Sequence, residues 1–403
     1  MFPLRGKLII IALKHFIKEL KMKFTKLSLI AALAVTTAMG ADASISGDAK
    51  VFYSTSDAAN ADLFDKGTNT MGDAAVSLDY SRDIAEGVTL NAGVTGVSTL
   101  GLEGTAVGNT WVDHALKDRA WIDVANITAK IGNTTAVIGR QKLDTPLAFT
   151  ETWNVVENTF DAFTFVNGDL PDTTLVASAV TRANGPFEFT NLQGGQTDLG
   201  DGIYAFGAVT KLIPNTTAQA WYYASNTILD KDDKVWLQAD VDVMDGITFG
   251  AQYGMALAND DAQDDASVMA VKLGYDAGVA QLYAAYSQAD DQGSNTFVNY
   301  AGYGASPLYT EAWWNFGYVS NPDAKAVAVG ASADLNGVAL SAQYTSVTND
   351  TMGTAGEMDE VTLTAGKKIG ALDTTLALIN TSSDDDAIDG NTVQLYLTVP
   401  FSL

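Results

Sequence analysis

The chain contains no cysteine, and its two histidines are His15 and His114. Thiolate nucleophiles, disulfide scaffolds and Cys/His zinc sites are therefore excluded. Basic residues are scarce as well: 23 Lys and Arg stand against 48 Asp and Glu, a net charge of −25. Such a balance repels the phosphates of nucleic acid and attracts cations. Long apolar runs are missing. Although 47% of the residues are hydrophobic, no stretch beyond residue 43 approaches the ~18 apolar residues that a membrane helix needs. Nucleotide-binding G-x-x-x-x-G-K-[ST] and hydrolase G-x-S-x-G patterns are absent, and His114 has no suitable serine beside it. No catalytic residue is expected.

What is present begins at Met22. MKFTKLSLIAALAVTTAMGADA carries Lys23 and Lys26, an apolar stretch from Leu27 to Val35, and small residues around Gly40 to Ala43. That order of basic, apolar and small residues is a secretory signal peptide over residues 22–43. Residues 1–21 precede a complete signal, which makes them an upstream mis-start or an extended signal region. A single long anchor helix is disfavoured by Lys14, Lys18, Lys21, Lys23 and Lys26. The remainder, 44–403, is expected to be one domain. Removing 1–43 takes away seven basic and two acidic residues, so the exported chain carries a charge of about −30.

From Ser44 to Leu403 apolar and polar residues alternate in short segments, as in AAVSLDY (74–80), VTLNAGVTG (88–96), KVWLQADVD (234–242), ITFGAQY (247–253) and the terminal TVQLYLTVPFSL (392–403). Period two marks strands with one apolar and one polar face. One parity holds Val76, Leu78, Leu237, Phe249, Val361 and Leu363; the other holds Ser77, Asp79, Asn91, Gln238, Asp240, Gln252, Lys272, Gln343 and Thr364. Tight turns, such as those at 82–87, 131–133, 244–246 and 334–337, alternate with longer polar stretches. Short turns at one end and long loops at the other are the pattern of a transmembrane barrel, and the count comes to about 18 strands. In lipid an open strand edge would leave its N–H and C=O groups unpaired, so the last strand must pair with the first. Tyr53, Tyr80, Tyr275, Tyr286, Tyr344 and Phe401 lie at strand ends, where an aromatic girdle meets head groups.

The block from Val137 to Val180 carries Gly139-Arg140-Gln141, Thr145-Pro146-Leu147, the strand NTFDAFTF (158–165) and the strand DTTLV (172–176). It resembles the Campylobacter-type major outer membrane porins, which are related to OprD-type porins. The signal peptide, the terminal alternating strand and the length are similar too, although Phe401-Ser402-Leu403 lacks the usual aromatic last residue. The resemblance implies an 18-stranded trimeric porin with its third outer loop folded into the lumen.

Counting connections places residues 143–158 as that third outer loop. Leu147, Phe149, Trp153, Val155 and Val156 would pack it against a wall, and it carries Glu151 and Glu157. Across from it Arg119 and Arg140 are expected to point inward on adjacent strands, with Lys142 just beyond. Acids on the loop and bases on the wall would make a constriction with a transverse field. Alternatively Arg119 and Arg140 pair with lumen carboxylates such as Asp123, which still leaves them lining the pore. Among the acidic loop segments Asp384, Asp386 and Asp389 are calcium candidates, although no EF-hand spacing is present and solvated loop tips are the alternative. No cofactor is required; calcium could bridge acidic loops to one another or to lipopolysaccharide phosphates. The expected function is passive diffusion of small hydrophilic solutes and ions across the outer membrane of a Gram-negative bacterium, with mild cation selectivity, in a homotrimer surrounded by lipid and lipopolysaccharide. The competing reading is a structural barrel or adhesin acting through its acidic loops.

Overall fold

The computed structural model describes residues 43–403 apart from 68, 109–117, 153–154, 185–201, 227–231, 260–263, 293–296, 301–303 and 353–355. The leader assigned to 1–43 lies outside the described residues save for Ala43, and so do His114 and Trp153. From Ile45 to Leu403 the chain forms one compact unit.

The described residues hold 18 antiparallel strands. In chain order these are β1 (Ala43–Ser56), β2 (Thr70–Ala85), β3 (Val88–Ser98), β4 (Arg119–Ile131), β5 (Thr134–Gln141), β6 (Thr159–Asn167), β7 (Thr173–Asn184), β8 (Gly202–Thr210) and β9 (Thr216–Asn226), followed by β10 (Asp233–Met244), β11 (Ile247–Leu257), β12 (Ala266–Asp276), β13 (Gln281–Ala289), β14 (Ala324–Asp334), β15 (Val338–Asn349), β16 (Met358–Ile369), β17 (Leu372–Ser382) and β18 (Gly390–Ser402). Each strand pairs with its neighbours in sequence, and β18 returns to β1, from Ser46 opposite Ser402 to Ser56 opposite Thr392. The sheet is thus a closed cylinder with no free edge. Pro400 sits opposite Asp48 near the start of that seam.

Connections at one rim are short. Between β14 and β15, Asn336 and Gly337 take φ of 57° and 76°, and Leu335 and Val338 exchange two backbone hydrogen bonds. Positive φ at both central positions is the two-residue hairpin whose twist matches the strands, and Asn-Gly is the pair that adopts it most readily. At the opposite rim the loops are long.

Side chains follow the pleat. Leu237 is 45% exposed on the outside of β10, whereas Trp236 beside it is 0% exposed on the inside. An exposed apolar band runs around the cylinder through Ile138, Phe163, Phe206, Val271, Leu282, Val329 and Leu378. The buried apolar residues lie within the cylinder: one cluster gathers Leu147, Phe160, Tyr223, Trp236, Phe297 and Leu308, and a smaller one gathers Phe52, Ala75, Val97, Val155 and Val156. Both combine inward wall residues with residues of long loops.

Candidate functional site

Residues 142–158, the third long loop, cross the interior. At one end the Leu147 amide donates to the Tyr223 hydroxyl of β9 (3.2 Å). At the other, Val155 and Val156 pack with Phe52 of β1, and Lys50 of β1 donates to Glu157 Oε1 (2.9 Å). Strands β1 and β9 are eight places apart in a ring of 18, so the loop reaches across the cylinder. It folds back on itself through Thr150 N to Leu143 O (2.8 Å) and Thr145 N to Ala148 O (3.1 Å).

A second loop, residues 290–323 between β13 and β14, also turns inward and packs on the first. Asn299 clasps Phe149, accepting from its amide (3.1 Å) and donating to its carbonyl (2.7 Å). The wall holds this seventh long loop at several points. Tyr309 donates to Asp240 of β10 (2.7 Å), Gln252 of β11 donates to the Pro307 carbonyl (2.8 Å), and Gln343 of β15 donates to the Glu311 carbonyl (2.7 Å). Glu360 of β16 supplies the strongest anchor. It is 2% exposed, and its carboxylate accepts from the amides of Trp313 (2.8 Å), Trp314 (3.1 Å) and Asn315 (3.0 Å) and from Asn315 Nδ2 (2.8 Å). Amide donors converging on one carboxylate satisfy a buried charge that would otherwise be costly. Within the loop the Glu311 carboxylate is enclosed by the amides of Ser306 (2.5 Å), Ala312 (3.0 Å) and Gly317 (3.2 Å). Burial nonetheless outweighs those donors and pushes Glu311 up to about 7.

Where the third loop meets the wall, charges collect. Glu157 pairs with Lys50 through one carboxylate oxygen and with Lys142 through the other. Burial works against the charge on Glu157, but the two ammonium groups prevail and hold the carboxylate below its ordinary value. The same balance raises Lys142, where burial is outweighed by Glu157. Asp48 lies 3.5 Å from Lys50 and accepts from Ser77. Asp79 and Asp123 converge over Gly93, whose missing side chain leaves the space their Oδ1 atoms occupy: a Cβ there would lie within 2.8 Å of both. Thr95 donates to Asp123 Oδ2 (2.5 Å). The patch therefore combines four carboxylates with two lysines, an excess of negative charge on one side of the lumen.

The structure gathers Asp123, Lys142 and Glu157, three of the six residues expected at a constriction, and adds Lys50, Asp48 and Asp79. Arg119 stands opposite the buried Val97 on β3, with inward parity. Two expectations need correcting. Arg140 does not face the lumen: it stands opposite Ala125, on the face of Ile138, and binds Asp161 through Nε (2.7 Å) and Nη2 (3.2 Å). The cause is a bulge. Gly93 opposes Val124 while Val94 opposes Ile122, so Asp123 is an extra residue on β4 and every position beyond it changes face. Glu151 does not line open space either, because it is 4% exposed under the seventh loop, where Asn299 donates to its Oε1 (3.0 Å).

The calcium candidates Asp384, Asp386 and Asp389 lie in the loop between β17 and β18. Asp389 accepts from the Ser383 amide (3.1 Å), and among the described residues no three Asp, Glu or His side chains are grouped to hold a metal ion.

Polar space remains around the two loops. A cavity of about 960 Å³ lies toward the short-turn rim, bounded by Tyr309 and Trp313 above and by Asp242, Lys272, Tyr283 and Gln343 on the wall. Another, of about 350 Å³, is lined by Asp79, Asn91, Asn126, Gln141 and Lys142. The arrangement can admit water and small polar solutes and impose a charge bias on them.

Solved structures share this architecture. The outer membrane protein OpdK of Pseudomonas aeruginosa superposes with a TM-score of 0.72 at 16% identity, over 90% of this chain and 99% of that one. OccK9 (OpdG) of the same organism gives 0.73 at 15% identity over 90% and 99%, and OccAB3 of Acinetobacter baumannii gives 0.72 at 15% over 90% and 100%. At these identities the likeness establishes the fold. No family model matches the sequence, and no curated protein matches it.

Proposed function

We propose that the barrel spans the outer membrane of a Gram-negative bacterium and lets small hydrophilic solutes and ions diffuse through its lumen, with a mild preference for cations. It performs no catalysis. The observation that carries this reading is a closed cylinder, apolar outside, whose interior holds two inserted loops with polar space beside them. Full closure is what a sheet needs to sit in hydrocarbon, since every backbone group is then paired. The inserted loops narrow a cylinder that would otherwise be wide, so passage is decided where they meet the wall. There the four carboxylates around Lys50 and Lys142 raise the local concentration of cations, while Arg119 moderates the effect.

The resemblance over residues 137–180 supports membership of the Campylobacter-type porin family and, with it, a homotrimer. Export follows cleavage near Gly40 to Ala43, so outer-membrane material should yield an N-terminus in that region on sequencing. The decisive measurement is single-channel conductance in a planar bilayer with a salt gradient. Stepwise currents with a cation-favouring reversal potential are expected. A chain that inserts without conducting would instead point to the structural or adhesive role, and anion preference would overturn the selectivity.

A further inference from the structure

The bulge that turns Arg140 outward places it in a cluster that the pore does not use. Asp161 of β6 receives Arg140 on one side, and Arg182 of β7 approaches on the other with Nη1 at 3.6 Å from Oδ2. All three lie within three residues of the long-loop ends of their strands. Ile138 and Phe163, 43% and 48% exposed, stand on the same outer face nearer the middle of the barrel.

Resting on the proposal that the barrel sits in an outer membrane, we infer that Arg140 and Arg182 form a binding site for the phosphate of a glycolipid head group in the outer leaflet. Charge is the first argument. Among the described residues two guanidinium groups share one carboxylate, which Asn184 Nδ2 also approaches (3.3 Å), and this leaves a local excess of positive charge above the apolar band. Beside hydrocarbon an unbalanced charge is costly, and an anion at the same depth relieves it. Geometry is the second. Arg140 commits Nε and Nη2 to Asp161 and Nη1 to the Ile122 carbonyl (2.7 Å), which fixes the fork and leaves one N–H on each terminal nitrogen unspent. Arg182 is 37% exposed, and among the described residues it pairs with Asp161 through Nη1, which leaves the rest of its fork turned outward. A tetrahedral phosphate can accept from two such forks at once, which an ammonium group does not offer. Location is the third argument. Elsewhere on this outward rim Asp233 is bonded to the Tyr222 hydroxyl and Asp359 to the Tyr344 hydroxyl, carboxylates that would repel a phosphate, and the outward Lys325 is paired with Asp323 and Asp350.

The test uses the barrel purified in detergent with a fluorescent bis-phosphorylated lipid A as probe, dephosphorylated lipid A as control and inorganic phosphate as competitor. Arg182→Gln keeps the Arg140–Asp161 pair, and heat-modifiable migration confirms that each variant is folded. Affinity for the probe should fall about tenfold in Arg182→Gln and less in Arg182→Lys, and should not change in Lys325→Gln, an outward basic residue elsewhere on the rim. Unchanged affinity in Arg182→Gln, or equal binding of dephosphorylated lipid A, would overturn the inference. Displacement by inorganic phosphate as readily as by lipid A would make the ligand free phosphate and remove the lipid. A variant that alters oligomeric state and leaves lipid binding intact would make the cluster an interface between copies, again overturning it. Failure of the wild-type barrel to insert into a bilayer would count against the proposed function alone, because the detergent assay reads the cluster directly.

Discussion

Lys50 and Glu157 meet at 2.9 Å, joining the first strand of the barrel to a loop that leaves the cylinder at the fifth and crosses its interior to return. Lys142 closes the other oxygen of the same carboxylate. One side chain thus holds the near end of the third loop.

Replacing Glu157 with Gln should cost about 2 kcal/mol of stability, since the half-buried Lys50 and the more exposed Lys142 both lose a charged acceptor. Because burial is outweighed by the lysines and Glu157 is held below 4.5, its ordinary value, the contribution is complete above that pH and fades as pH falls through the lowered value. The partner Lys142 is raised above 10.5, so its contribution is present below that pH and fades as pH rises past the raised value. Equilibrium unfolding followed across the pH range should show the wild-type advantage over Glu157→Gln at its largest between those two limits, shrinking toward strong acid and strong base.

Neutralising Asp79 and Asp123 together should shift the reversal potential toward zero without changing the fold, and the shift should be larger at about 0.01 M salt, where the Debye length is about 30 Å, than at about 1 M, where it is about 3 Å. Glu151→Gln should leave the potential where it is, because that carboxylate is covered by Asn299.

Glu311 rises to about 7 while the unfolded chain titrates near 4.5, so the folded state binds the extra proton and stability declines as pH climbs from 4.5 through 7. Tryptophan fluorescence from Trp313 and Trp314 should titrate with a midpoint near 7. The transition should vanish in Glu311→Gln; if it persists, another group is responsible.

Glu360→Ala strips the acceptor from three consecutive amides and should release the Trp313–Asn315 turn, at a cost of about 3 kcal/mol. Higher single-channel conductance with greater current noise is the expected outcome, and an unchanged conductance would mean that the seventh loop does not limit the pore.

Leu237→Arg and Gln238→Arg compare the two faces directly. An arginine in place of Leu237 meets lipid and should cost about 2–4 kcal/mol at mid-bilayer, whereas Gln238 lies among Asp240, Gln252 and Trp236 and can accept a charge. Heat-modifiable migration of the two variants should differ; equal behaviour would overturn the assignment of inside and outside.

The strands, their number and the long and short rims were legible because alternation and turn chemistry are local properties, as at Val235 to Val241 and Asn336-Gly337. The third loop was legible from its apolar residues. Applied to residues 290–323, with Trp313, Trp314, Phe316 and Tyr318, the same reasoning points to the second inserted loop, but its anchors, Glu360 and Asp240, lie on other strands and carry no local signature. Arg140 was assigned to the wrong face because parity counting assumes an unbroken ladder. One extra residue at Asp123 reverses it, and the clue in the sequence is only Gly93, a small residue in a strand. Lys50 became part of the site through a contact spanning more than a hundred positions, which periodicity does not register.

The seam between β1 and β18 has a consequence for assembly. The first strand pairs with the second from the start but has its other edge covered only by the last, and the bonds from Asn391 to Asp57 and from Thr392 to Ser56 connect residues more than 330 positions apart. Closing so long a loop is slow, because the chain entropy is lost before the contact repays it. Until the ends meet, Lys50 rides on an unfinished edge, so the third loop obtains its complete anchorage only once the cylinder is shut. The geometry of the third loop is therefore completed only at the end of assembly, when the seam closes.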